Sequence, residues 1–367
     1  MKKACALSLL FPLLLIFASA CYAQQPQGEG FGRGYTTDVG DKPSLSDCSP
    51  RYTCAQTVQF KSALVNAPLP YRVIVPAHYT SPEQAKQRYP VIYLLHGYGG
   101  HYDNWVAKTK LKEYASRYQF IIVTPEGNNG WYTDSASAPA AKYESYILQE
   151  LIPDVQRRYR AIETREGRAI AGLSMGGYGA LKLGLKHPEM FAFAASMSGA
   201  LGAAVWTESD LRDFGAELPR SIMETFGPAG SPTRAANDLT KLVREFPADR
   251  LTSLPYLYLD CGTEDGLLSF SRRLADLLRE RKIPHEYRER PGNHNWEYWD
   301  AQVLEVLSVA AQRIPPARLS PVAQSKAAPS TSTATPMARA RRPLARRLSL
   351  RHNMFGITFG VRQERSA

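Results

Sequence analysis

The sequence predicts an α/β fold: a mostly parallel central sheet with helices on both faces and a helical cap insertion around 202–250. Three observations predict it. Apolar runs of strand length alternate with amphipathic helical stretches over residues 57–313, and strands separated by helices of that length cross over and run parallel. The rhythm breaks once, over 202–250, a segment longer than one crossover needs. One strand-to-helix junction, "GLSMGGYGA", sets Ser174 between Gly172 and Gly176. A turn that sharp brings backbones into contact, and a Cβ on either neighbour would collide with the crossing chain.

The elements follow in order. Residues 57–76 alternate around Asn66-Ala67-Pro68, the pattern of an antiparallel hairpin. "VIYLLHG" (91–97) is a buried strand, 104–118 a helix, and "FIIVTPEG" (120–127) a strand. Residues 143–159 form a helix that Pro153 bends. Strands are expected over 167–174, 191–201, 254–262 and 285–292, with helices over 268–282 and 296–313.

The chain has 367 residues, 44% of them hydrophobic, enough for one sizeable core. Residues 1–23 carry Lys2 and Lys3, a short apolar run and then small residues, the layout of a secretory signal peptide. Export to the periplasm or beyond is the expectation. Lipidation at Cys21 is the weaker alternative, because an aliphatic residue is usually wanted where Ala18 stands. Residues 24–56 read as an irregular arm. Cys48 and Cys54 lie close together in it, and in an oxidising compartment they are expected to form a disulfide.

The net charge of +11 suggests nucleic acid at first, but its placement argues against that partner. Residues 315–367 hold ten basic residues against Glu364 alone and carry +9 of the total. This Pro/Ala/Ser/Thr-rich tail (314–367) is predicted disordered. It is a candidate for electrostatic contact with an acidic envelope surface. Oligomeric state is not legible. No cysteine or histidine spacing resembles a zinc site, so no metal or cofactor is expected.

A serine at such a corner needs a base, an acid and an oxyanion site. In the doubly wound order the base follows the serine last. His285 begins a strand and His352 lies in the tail, which leaves His294, in the loop between the last strand and the last helix. Asp260, Glu264 and Asp265 compete as the acid. Asp265 is favoured because it stands on the loop beyond the strand end, whereas Asp260 is still inside the strand and Glu264 reads as a solvated loop residue. "HGYGG" (96–100) offers backbone N–H groups for an oxyanion hole, with Tyr98 and Met175 as the candidate donors. His96 precedes the serine and reads as a loop-shaping hydrogen bonder. Trp131, Tyr132 and Asp134, in "EGNNGWYTDS", are candidates for the substrate pocket, with core packing of the aromatics as the alternative.

"LLHGYGG", "PEGNNGWYTDS", "GLSMGGYGA", "DCGTEDGLL" and "GNHNWEYW" together resemble the esterase D-like family of the α/β-hydrolase superfamily. That family includes tributyrin, feruloyl and acetylxylan esterases, S-formylglutathione hydrolases and mycolyltransferases. The resemblance spans about 57–313 with the motifs in the family's order. It implies an acyl-enzyme serine esterase with Ser174 as nucleophile, Asp265 as acid and His294 as base, acting on small-molecule or polysaccharide-linked esters of short-chain, acetyl or feruloyl type. Acyl transfer to a sugar or lipid alcohol is the near alternative. A catalytically silent carbohydrate-binding module on the same fold is the distant one. The N-terminal arm and the basic tail have no counterpart in the family's core, and Asn293 stands where many members have glycine.

Overall fold

A computed structural model describes residues 53–314 apart from 213. The signal segment, Cys21, Cys48 of the expected disulfide, most of the N-terminal arm, His352 and the basic tail lie outside the described residues.

Ten strands are formed there: β1 (Cys54–Val58), β2 (Lys61–Ser62), β3 (Ala67–Pro68), β4 (Tyr71–Val75), β5 (Val91–Leu95), β6 (Ile121–Pro125), β7 (Arg168–Leu173), β8 (Phe193–Met197), β9 (Tyr256–Gly262) and β10 (His285–Arg290). Eight make one sheet in the order β1-β4-β6-β5-β7-β8-β9-β10. β6 to β10 and β5 run parallel, while β4 and β1 are antiparallel additions at one edge. The expected hairpin is present as β1 against β4, and a small ribbon, β2 with β3, fills the turn around Asn66 at φ 53.

Strand side chains alternate between two cores. Val91, Tyr93 and Leu95 join one apolar cluster, and Ile92 and Leu94 join the other. The first is covered by the helix Met175–Lys186 and the helical run through residues 143–158, the second by Trp105, Leu111 and the helix Trp296–Arg313. This two-sided burial explains the near-continuous apolar runs of the central strands.

Two helices depart from expectation. The stretch 104–118 breaks into Asn104–Lys108 and Leu111–Ala115, with Thr109 extended at φ −137 and ψ 170. Thr109 Oγ1 donates to the Trp105 carbonyl and accepts from Leu111 N–H, so a side chain replaces the helical ladder. In the run 143–158, Pro153 does not simply kink the helix. The turn before it widens to a π-helical run, Tyr146–Leu151, which relieves the clash of a proline ring with the preceding turn. The segment 202–250 is helical, with Glu208–Leu211, Glu217–Phe226, Pro232–Asn237 and Leu239–Glu245. Among the described residues no helix is long and apolar enough to cross a membrane.

Sheet order reverses between β5 and β7, because β6 lies on one side of β5 and β7 on the other. The crevice beyond the carboxyl ends of such strands is where open α/β sheets bind ligands.

Candidate active site

Ser174 stands at that crevice, directly after β7, as the residue preceding the helix Met175–Lys186. Its φ of 53 and ψ of −118 are strained for a side-chain-bearing residue. Backbone bonds hold the corner: Ser174 N–H donates to the Met197 carbonyl at 3.0 Å, and the Ser174 carbonyl accepts from Tyr178 and Ala200 N–H, both at 3.0 Å. A Cβ at Gly172 would stand 2.4 Å from the Gly176 carbonyl carbon, and one at Gly176 would stand 2.5 and 2.6 Å from the Leu95 and His96 carbonyl oxygens. Both contacts are with backbone, which cannot swing aside. Gly176→Ala should therefore lower the thermal midpoint and displace the 96–100 loop. A variant with wild-type Tm would show that the corner has slack the geometry denies.

The loops after β9 and β10 meet this corner. Thr263 N–H donates to the Arg290 carbonyl and Glu264 N–H to the Gly292 carbonyl, while the Glu264 carboxylate accepts Gly292 N–H. Glu264 is thus exposed yet clamps the two loops together, a role the solvated reading did not foresee. Gly292 has φ 141, a conformation that favours glycine. Asn295 then caps the last helix by accepting Tyr298 N–H at 3.0 Å. These constraints carry His294 over Ser174.

His294 Nε2 lies 3.0 Å from Ser174 Oγ, and His294 Nδ1 lies 2.8 Å from Asp265 Oδ2. The other Asp265 oxygen accepts Leu267 N–H at 2.8 Å. Asp265 is 5% exposed. Burial by itself would raise its carboxyl pKa, but the hydrogen bond and charge of His294 and the Leu267 N–H outweigh it and hold the group below its ordinary value. The His294 ring meets Trp299 edge-to-face, with centroids 4.9 Å apart. Asp260 is turned away: it is 1% exposed, accepts from Tyr298 Oη at 3.0 Å, and burial pushes its carboxyl up to about 8. His285 pairs through Nδ1 with the Ile283 carbonyl, away from this group.

The 96–100 loop sits against Ser174. His96 is 1% exposed. Its Nδ1 faces the Gly97 carbonyl at 2.8 Å, and its Nε2 accepts Gly127 N–H at 2.9 Å. Asn129 Oδ1 accepts Gly99 N–H at 2.7 Å. Glu126, which sequence reasoning missed, anchors the neighbouring turn by accepting Tyr102 N–H at 3.2 Å and Asn128 N–H at 2.8 Å. Met175 precedes the first intrahelical bond of its helix, Tyr178 N–H to the Ser174 carbonyl, so its N–H belongs to the unsatisfied first turn.

The aromatic pocket candidates are both buried. Trp131 is 1% exposed and Tyr132 0%. Trp131 packs among Tyr98, Tyr178, Trp206 and Phe226. Tyr132 Oη donates to the His96 carbonyl at 3.0 Å. Asp134 accepts Ser145 N–H at 2.9 Å and Ser145 Oγ–H at 2.5 Å. The two aromatic rings are thus packed in the core, the alternative reading for them, while Asp134 is half-buried and held by Ser145. The helix after Ser174 contributes a further anchor. Lys182, 0% exposed, donates to the Tyr132 carbonyl, to Thr133 Oγ1 at 2.9 Å and to Glu144 Oε2 at 2.7 Å. Burial pushes its pKa down to about 8 against the pull of Glu144. A lysine on the apolar stripe of that helix was the sequence signal for it. Among the described residues no group of three or more His, Cys, Asp or Glu side chains is arranged to hold a metal ion.

Sheet order, corner and loops define an α/β-hydrolase. Within that class, a family model described as "Putative esterase" matches residues 62–308. The chain belongs to this family and is a carboxylic-ester hydrolase by class. It is 30% identical over 214 residues to an acetyl esterase of Caldicellulosiruptor saccharolyticus, covering 58% of this chain and 79% of that protein. It is 29% identical over 247 residues to an esterase of Mycobacterium tuberculosis, covering 60% of this chain and 51% of the relative, so it spans about half of that protein's length. A solved ferulic acid esterase superposes with a TM-score of 0.60 at 29% identity, over 72% of this chain and 99% of that one.

Proposed function

We propose that this chain is an exported serine esterase that cleaves short-chain acyl, acetyl or feruloyl esters through an acyl-enzyme. The hydrogen-bonded run Asp265–His294–Ser174 at the carboxyl edge of the sheet carries the reading. In it, His294 Nε2 accepts the Ser174 hydroxyl proton as Oγ attacks the ester carbonyl carbon. The carbonyl oxygen, now an oxyanion, is met by the N–H groups of Met175 and Tyr98. As the intermediate collapses, the C–O bond to the alcohol breaks and His294 returns the proton to the leaving oxygen. Water, deprotonated by the same imidazole, then releases the acid. Asp265 fixes the ring's orientation and stabilises the imidazolium. The signal-like segment 1–23 supports export, and the +9 tail supports electrostatic retention at an acidic envelope surface.

Labelling the full chain with a fluorophosphonate tests the nucleophile. One adduct on Ser174, located by peptide mass, is the expected result; an unlabelled protein, or label on another serine, removes the reading. Product analysis in water with and without sugar acceptors separates hydrolysis from acyl transfer.

A further inference from the structure

Lys182 is a charged group that the acyl-enzyme mechanism leaves unused. It lies on the helix Met175–Lys186, about two turns after Ser174, and is fully buried. Taking an ammonium out of water is costly and demands partners. Glu144 does not by itself account for the lysine, because it has two other partners, Lys186 Nζ at 2.7 Å and the His187 ring at 2.9 Å. The other bonds of Lys182 fall on one turn. Its ammonium donates to the Tyr132 carbonyl and to Thr133 Oγ1, and Thr133 Oγ1 in turn donates to the Trp131 carbonyl at 2.9 Å. The Tyr132 carbonyl is thus held directly and the Trp131 carbonyl through a hydroxyl.

That turn needs holding. Trp131 has φ 53 and Tyr132 φ 50, left-handed backbone at two successive bulky residues. Such strain persists only where the surroundings enforce it, and it collects at functional sites. Here the strained turn grips the 96–100 loop. Tyr132 Oη donates to the His96 carbonyl at 3.0 Å, and the Trp131 ring rests on the Tyr98 ring with centroids 5.9 Å apart. Tyr132 has little room to shift: a Cβ at Gly127 would stand 2.5 Å from its ring, and one at Gly179 2.6 Å. His96 and Tyr98 flank Gly97, so both grips close on the segment that carries the Tyr98 N–H.

We propose that Lys182 is a positioning residue for the oxyanion site: its buried ammonium fixes the left-handed turn at 131–132, and through Tyr132 and Trp131 that turn holds the 96–100 loop beside Ser174. Being fully buried, Lys182 meets no substrate and acts only through these neighbours. It is charged at pH 7, since burial pushes its pKa down only to about 8. The inference rests on the esterase reading and on Tyr98 as an oxyanion donor.

The test compares Lys182→Met with wild type on p-nitrophenyl acetate. Each rate is divided by the amount of Ser174 that a fluorophosphonate labels at completion. Methionine keeps the unbranched stem, and Glu144 keeps Lys186 and His187, so the fold is expected to survive. The kcat per labelled serine should fall at least about tenfold with KM within about twofold, a share of the roughly 100- to 1000-fold that one lost oxyanion donor costs. A lysine that served packing alone would lower the thermal midpoint or the labelled fraction and leave kcat per labelled serine unchanged. A double-mutant cycle tests the route: in a Tyr132→Phe background, which lacks the bond to the His96 carbonyl, Lys182→Met should cost clearly less than in wild type. Should Lys182→Met fail to fold, Thr133→Val takes its place, because it removes the hydroxyl link to the Trp131 carbonyl. The same fall in kcat is then expected, with Thr133→Ser restoring the rate. Unchanged kcat per labelled serine, or additive losses across the cycle, would overturn the positioning role while labelling of Ser174 still upheld the esterase reading. A wild type that takes no label would remove that reading and this inference with it.

Discussion

Ser174→Ala should abolish hydrolysis of p-nitrophenyl acetate or butyrate, lowering kcat by about 10⁴- to 10⁶-fold. In the proposed mechanism the removed oxygen is the attacking atom, and it is the partner of His294 Nε2 at 3.0 Å. The fold should survive, because the strained corner is held by backbone bonds to Met197, Tyr178 and Ala200 rather than by the hydroxyl. Relief of side-chain crowding at φ 53 is small for alanine, so the thermal midpoint should stay within a few degrees. Measuring kcat and Tm on the same preparation separates the two effects. Retention of a substantial fraction of wild-type kcat would remove Ser174 as the nucleophile.

Asp265→Asn should lower kcat by about 10⁴-fold, since an amide facing Nδ1 favours the wrong tautomer and cannot stabilise an imidazolium. Asp260→Asn should leave kcat nearly unchanged. Its carboxyl, pushed up to about 8 by burial, is already neutral at pH 7, and it binds Tyr298 rather than His294. The second carboxyl leaves a different trace. Its folded-state pKa lies above the unfolded value of about 3.9, so the stability it contributes is complete below that value and is lost as pH rises toward 8. Asparagine has no such loss. The Tm difference between Asp260→Asn and wild type should shift in favour of the variant from pH 5 to pH 8.5. Greater damage to kcat from Asp260→Asn than from Asp265→Asn would reverse the assignment of the acid, and a pH-independent Tm difference would contradict a neutral buried carboxyl.

Much of the fold was legible because its signals are local. The period of apolar residues marked β5 to β10 and the long helices without reference to the rest of the chain. Errors arose where a distant residue or a competing side chain intervened. Thr109 breaks its helix by bonding backbone groups itself, and Lys110 N–H is taken by Asp300 from the last helix at 2.7 Å. Trp131 and Tyr132 were open to two readings, because aromatic residues in a loop at the sheet edge are ambiguous between ligand contact and packing. Trp206 and Phe226 from the 202–250 segment pack on Trp131 together with Tyr98 and Tyr178.

By itself the sequence determined the corner and the order of its partners. Gly172, Ser174 and Gly176 encode a close backbone crossing within five residues, and no side chain from elsewhere can relax it. The elimination that left His294 used chain order and element type, both readable along the sequence. Tertiary structure alone decided the contacts of the carboxylates. Asp260, Glu264 and Asp265 lie within six residues, yet one is buried against Tyr298, one clamps Gly292 and one meets His294 at 2.8 Å. Those fates depend on how the β9 and β10 loops meet, and on the burial that follows. A carboxylate's pKa is set by the desolvation and partners it finds in three dimensions, and neighbouring positions along a strand end face different ones.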